Sequence, residues 1–303
     1  MARPKEFKEI ILDIDDGVAT LTIYRPDNMN AFTGVMMYEM MEAFDITDAD
    51  DSVKAVIVTG HGDRAFCAGA DLSSGAKTFD YDARAGDGEK GRTENIEIQR
   101  DGGGRLTLRI FESLKPVIGA INGAAVGIGV TMQLPMDIRI ASDKARFGFV
   151  FNKRGINPEA ASSWFLPRLV GIQQALEWCY TGRVFPASEA LAGRLVSKVV
   201  PHADLMTVAR ALAKEIGDNT APVSNALTRQ MMWRMLGASH PMDAHIVDSA
   251  AIYSRGKTPD AKEGVMSFLE KRTPVYPVKV SDGMPKFFPW WEEREFEWIG
   301  DKD

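Results

Sequence analysis

Three short runs restrict this chain more than any other feature. VKAVIVTG (53–60), PVIGAI (116–121) and DIRIAS (137–142) are rich in β-branched and aliphatic residues. VKAVIVTG has the look of a strand covered on both sides, and the other two runs repeat the theme. Two further runs, IILDI (10–14) and VATLTIY (18–24), flank the turn DDG and read as a hairpin. Between these runs lie helix-like segments. The first, TGVMMYEMMEAFD (33–45), spaces Met, Tyr and Phe at helical intervals after a Thr cap. Strands alternating with helices predict an α/β fold with a parallel sheet.

Two turns follow these strands. AFCAGADL (65–72) ends in small residues, so bare backbone can approach anything bound there. INGAAVGIGVTMQL (121–134) carries glycines at 123, 127 and 129, which let a helix begin hard against the sheet. The first N–H groups of a helix have no internal partner and carry partial positive charge. Two such turns at neighbouring strand ends can hold one oxygen between two N–H donors.

Residues 73–105 are polar and glycine-rich, and read as a surface loop or as a lid over a site. Beyond Pro201 the patterns are helical, and a boundary is expected there. The division is residues 1–200 as core, 201–273 as a helical region and 274–303 as an aromatic-rich tail. The tail, KFFPWWEEREFEWIG (286–300), is expected to pack on its own domain or on a sister subunit.

The net charge of −6, from 36 basic and 42 acidic residues, argues against a nucleic-acid coat. No stretch is apolar for long enough to span a bilayer, and MARPKEFKEIILDID does not read as a secretory peptide. Cys67 and Cys179 are far apart among apolar neighbours, so buried free thiols in a reducing compartment are expected. A cytoplasmic location follows. His61, His202, His240 and His245 form no metal-ligand pattern, and no G-x-S-x-G elbow is present.

The pair AFCAGADL and INGAAVGIG resembles the two oxyanion-hole segments of the crotonase superfamily, the enoyl-CoA hydratases and isomerases. The likeness runs from about residue 8 to 273. It includes LTIYRPDNMNAF (21–32), DIRIASDKARFGF (137–149) and FLEKR (268–272). The resemblance implies a crotonase-like ββα spiral core with a C-terminal helical region that trimerises, as a homotrimer or a dimer of trimers. It implies an acyl-CoA or enoyl-CoA thioester as substrate, with coenzyme A part of that substrate and no separate cofactor. By motif matching, the Ala70 and Ile128 N–H groups are the two donors, Ile128 standing where the family usually has glycine. The Ala68 carbonyl would accept from the adenine amino group. Arg25, Ala31, Asp71 and Leu72 would line the thioester path. Lys271 and Arg272 would either reach phosphates or form a solvated helix end.

Hydratases of the family use two glutamates. Thr131 and Phe151 stand at those two positions here, the latter in FGFVF (147–151). Eight residues on, GINPEAASSWFLP (155–167) is similar to the segment carrying the catalytic glutamate of peroxisomal-type Δ3,Δ2-enoyl-CoA isomerases. That assigns Glu159 as a single acid/base. Pro158 is expected to start a helix there, with Trp164 and Phe165 as an apolar wall that raises the proton affinity of the carboxylate. From the residues alone, an acid at a helix start is better accounted for by the helix dipole and the unpaired N–H groups, and the resemblance is what favours catalysis. Double-bond isomerisation is favoured. The alternatives are hydration with a second group such as Thr131, Asp80 or Asp82, thioester hydrolysis, carbon–carbon lysis, or a non-catalytic CoA- or RNA-binding relative.

Overall fold

The computed structural model describes residues 6–81 and 100–300. The hairpin is present as β1 (Ile10–Asp15) and β2 (Val18–Ile23). Thr33 caps α1 (Gly34–Ala49) by accepting from the Met36 N–H at 3.1 Å. The chain then winds through turns that share one pattern. Each gives one strand to a larger sheet, the next to a smaller sheet, and closes with a helix. The first turn holds β3 (Ala55–Gly60), β4 (Ala65–Cys67) and α2 (Gly102–Glu112). The second holds β5 (Val117–Ile121), β6 (Ala124–Val126) and α3 (Ile128–Thr131). The third holds β7 (Ile138–Ser142), β8 (Arg146–Gly148) and α4 (Ser162–Val170). Next come α5 (Ile172–Thr181), β9 (Val184–Pro186), α6 (Ala187–Ala192) and β10 (Lys198–Val200).

The larger sheet runs β1-β2-β3-β5-β7-β10, parallel except for the opening hairpin. The smaller runs β4-β6-β8-β9, with only β9 antiparallel. The apolar runs are covered as expected, since every residue of β3 and β5 is buried. One face of the larger sheet packs on α1 and the spiral interior through Val56, Val58, Val117 and Ile121. The other meets α7 (Leu205–Asn219) through Ile57, Ile118 and Ile140 against Leu205, Ala209 and Ala213. A buried aliphatic side chain contributes about 1.5–3 kcal/mol of transfer free energy, so this double cover fixes the sheet. Cys67 and Cys179 are both free and buried.

The remaining helices are α8 (Pro222–Met235), α9 (Pro241–Arg255), α10 (Pro259–Glu270) and the single turn α11 (Val280–Gly283). The aromatic tail folds back on α8. Phe288 and Trp290 pack with Val223, Leu227 and Val280. The Arg234 guanidinium sits between the Trp291 ring, at 3.2 Å from its centroid, and the Phe111 ring, at 5.0 Å. Packing on its own chain is therefore present. Among the described residues no helix is long and apolar enough to cross a membrane.

Two local expectations need correction. The polar segment 73–105 runs past the true start of α2. Asp101 caps that helix by accepting from the Gly103 N–H at 3.0 Å and the Gly104 N–H at 2.8 Å, and this anchors a glycine-rich first turn that reads as loop. Residues 82–99, and Asp82 with them, lie outside the described residues. The second correction concerns Pro158. It does not start a helix, because α4 begins only at Ser162. Glu159 lies on a turn before it, and Ala160 and Ala161 follow with φ of 59° and 51°.

Candidate active site

The first turn is built by the NMNAF stretch. Asn30 is buried, and its side-chain amide donates to the Ala65 carbonyl at 2.9 Å and the His61 carbonyl at 3.0 Å. Its Oδ1 accepts from the Arg25 N–H at 3.0 Å. The Phe32 N–H donates to the Gly69 carbonyl at 2.8 Å, and the Asp71 N–H donates to the Phe32 carbonyl at 2.9 Å. Those two bonds bracket Ala70 in a parallel bridge with Phe32.

The second turn lies alongside the first, because β4 and β6 pair with Cys67 opposite Ala125. Gly69 has φ of 113°, and a Cβ added there would come within 3.1 Å of the Val126 carbonyl oxygen. Gly127 has φ of 57°, and a Cβ there would meet Gly69 Cα at 3.8 Å. Neither conformation suits a residue with a side chain. Each glycine is followed by one of the expected donors. Ile128 is the first residue of α3, so its N–H has no helical partner. The two neighbouring turns thus carry Ala70 and Ile128, each directly after its glycine.

Glu159 reaches this place from the third turn. The Thr131 hydroxyl donates to its Oε1 at 2.5 Å. Its Oε2 lies so close over Gly103 that a Cβ built there would overlap it, and would also come within 2.6 Å of Ile128 Cδ1. The carboxyl is therefore enclosed by α2 and α3, beside the residue that carries the second donor. Burial first, then the charge of Asp101, push it up to about 8, while the Thr131 hydroxyl pulls the other way. A carboxyl poised near neutral pH suits proton transfer. The nearby Cys67 thiol is pushed up to about 12 by burial and is inert.

Of the expected site residues, Glu159, Thr131 and Ile128 come together, and Ala70 joins them through strand pairing. Asp101, overlooked in the sequence, joins them too. Its Oδ2 accepts from the Ala160 N–H at 2.7 Å. An Asp before glycines is an N-cap signal that could have found it. Arg25 is a fastener of the first turn. It pairs with Glu9 at 3.3 Å and Asp71 at 2.9 Å and donates to the Ala31 carbonyl at 2.6 Å. Leu72 is exposed, and the Ala68 N–H donates to the Met29 carbonyl at 3.2 Å. Phe151 is buried in the main core. Trp164 lies edge-on to Phe111 and Phe165, with Arg168 stacked on it at 4.2 Å. Lys271 is the exposed left-handed cap of α10, and Arg272 is tied to Glu263 and Glu270.

The family model described as enoyl-CoA hydratase/isomerase matches residues 13–279. The chain belongs to the enoyl-CoA hydratase/isomerase family. Relatives of this family include the enoyl-CoA hydratase ACTT3 of Alternaria alternata, 42% identical over 86% of this chain and 83% of the relative. The 1,2-epoxyphenylacetyl-CoA isomerase of Escherichia coli is 32% identical over 89% of this chain and 98% of its own length. A crystal structure of an enoyl-CoA hydratase from Bacillus anthracis superposes with a TM-score of 0.77 at 30% identity, covering 89% of this chain and 99% of the other. The spiral core is thus a crotonase fold, and the chain is an enoyl-CoA hydratase/isomerase-family enzyme.

Proposed function

We propose that the enzyme moves the double bond of a 3-enoyl-CoA thioester into conjugation, with Glu159 as the single proton carrier. The observation that carries this is the position of the Glu159 carboxyl, buried beside Ile128 and held by Thr131. The thioester oxygen would sit between the Ala70 and Ile128 N–H groups. Glu159 takes the acidic proton from C2, negative charge passes to the thioester oxygen, and the same carboxyl returns the proton to C4. Each N–H donor at such an oxygen is worth about 3–4 kcal/mol in the transition state. Coenzyme A enters as part of the substrate, and no step calls for a separate cofactor.

Hydration is the second reading, since the Alternaria relative is named a hydratase and Asp101 gives Glu159 an acidic neighbour. The Asp101 carboxylate, however, accepts three backbone N–H groups. Those bonds commit both of its oxygens to holding backbone rather than a water. Phe151 and Thr131 supply no carboxyl of their own. The test is a paired assay with 2-enoyl-CoA and 3-enoyl-CoA, following conjugation and water addition separately. Conjugation of the 3-enoyl substrate without water addition is expected. Water addition to the 2-enoyl substrate with no turnover of the 3-enoyl one would overturn the proposal in favour of hydration.

The assembly proposed is a homotrimer or a dimer of trimers, joined through α9 and α10. These helices expose Ile246, Ile252, Tyr253, Val265, Phe268 and Leu269, with Phe268 80% and Ile252 72% accessible in the single chain. Large apolar side chains exposed together on two helices are what a subunit contact would cover. Light scattering should give three or six chains, and Phe268→Asp should reduce that number. A monomeric parent would exclude this assembly.

A further inference from the structure

We propose that Asp101 is the positioning residue for Glu159, fixing the turn that carries it and setting a carboxylate beside it. The inference rests on Glu159 being the acid/base.

Asp101 bridges two elements. One side is the start of α2, where it accepts the Gly103 and Gly104 N–H groups. The other is the Glu159 turn, where it accepts the Ala160 N–H at 2.7 Å. Ala160 is fully buried, and it and Ala161 are both left-handed. That conformation costs an L-residue about 1–2 kcal/mol, so the turn needs an external hold. The Asp101 contact to the residue directly after Glu159 supplies one. Oε2 of Glu159 meanwhile rests over Gly103, the second residue of the helix that Asp101 caps. Both walls of the carboxyl's position thus depend on one side chain.

The charge of Asp101 acts in the same place. Around Glu159, α3 presents the neutral Thr131 and β4 the neutral Cys67 thiol. On α2, Arg105 is stacked on Tyr38 at 5.1 Å, and Arg100, just before the cap, is stacked on Phe296 at 5.3 Å. Among the described residues, Asp101 is the charged neighbour that acts on Glu159, and both its charge and its hydrogen bond to the Glu159 carboxyl oppose a second negative charge there.

The test uses Asp101→Asn and Asp101→Ser, which keep a capping side chain and remove the charge. The readout is the pH dependence of kcat/KM with a 3-enoyl-CoA. The rising limb should move to lower pH by about one unit, with KM for the ester unchanged. A limb that stays in place while kcat falls at every pH would show a structural cap only and overturn the proposal. Should neither variant fold, carbon NMR of the parent decides. A carboxyl signal absent from Glu159→Gln should still be protonated at pH 7, and an ionised one would overturn the proposal. If Glu159→Gln itself retains turnover, the acid/base reading fails. If that variant is inactive and only the limb is unmoved, the role of Asp101 alone fails.

Discussion

Glu159→Gln is expected to lower isomerisation of a 3-enoyl-CoA by at least about a thousandfold, toward the upper range for removing a positioned acid/base. Gln keeps the size of the side chain and the acceptor for the Thr131 hydroxyl, so affinity for a CoA ester should persist. The parent's pH profile is part of the same expectation. A carboxyl held at about 8 is mostly protonated at neutral pH and ionised above 8. Removal of the C2 proton needs the ionised form, so kcat/KM should rise with pH through that value. Stability should run the other way. The folded state holds the proton more tightly than an unfolded glutamate with its ordinary value of 4.5. Its stabilising contribution is therefore complete below 4.5 and is lost as pH rises through about 8. Gln removes that dependence, so the variant should melt at a higher temperature than the parent at pH 8. Near-parental turnover by Glu159→Gln would dismiss the carboxyl as proton carrier.

The elements that carry their own local signal were legible. β3 and β5 are runs of buried apolar residues, and such runs need no partner to be recognised. The oxyanion turns were legible because Gly69 and Gly127 sit where only glycine is comfortable. Asp101 was not. Gly102, Gly103 and Gly104 follow it, and each glycine lowers helix propensity by about 1 kcal/mol relative to alanine, so local preference spoke for a loop. The helix exists because the Asp101 side chain satisfies its first N–H groups and because Leu106 and Ile110 enter the core. The left-handed pair Ala160 and Ala161 was illegible for a related reason. Alanine has no preference for that conformation, which is imposed by contacts with residues far away in sequence. Pro158-Glu159 accordingly looked like a helix start, although the chain must first turn the carboxyl inward.

Gly103→Ala should leave the fold intact and remove the activity. At an ordinary helical position this substitution favours the helix by up to about 1 kcal/mol, and Gly103 has no left-handed backbone to protect, since it is absent from the positive-φ glycines. Its constraint is space. The new methyl would overlap Glu159 Oε2 and press on Ile128 Cδ1. The carboxyl is the softer obstacle, because rotation about its side-chain bonds can carry it away, whereas Ile128 is buried and fixed by the α3 backbone. Displacement of a reacting group by about 1 Å can cost a hundredfold in rate, and the same movement breaks the 2.5 Å contact with Thr131. The comparison is Gly102→Ala, one residue earlier, whose methyl would meet only Met37 Sδ at 3.1 Å. Steady-state turnover should therefore fall at least about a hundredfold in Gly103→Ala and stay near the parent's in Gly102→Ala, with similar melting temperatures for both. Equal turnover in the two variants would mean that the carboxyl does not work from the position it holds over Gly103.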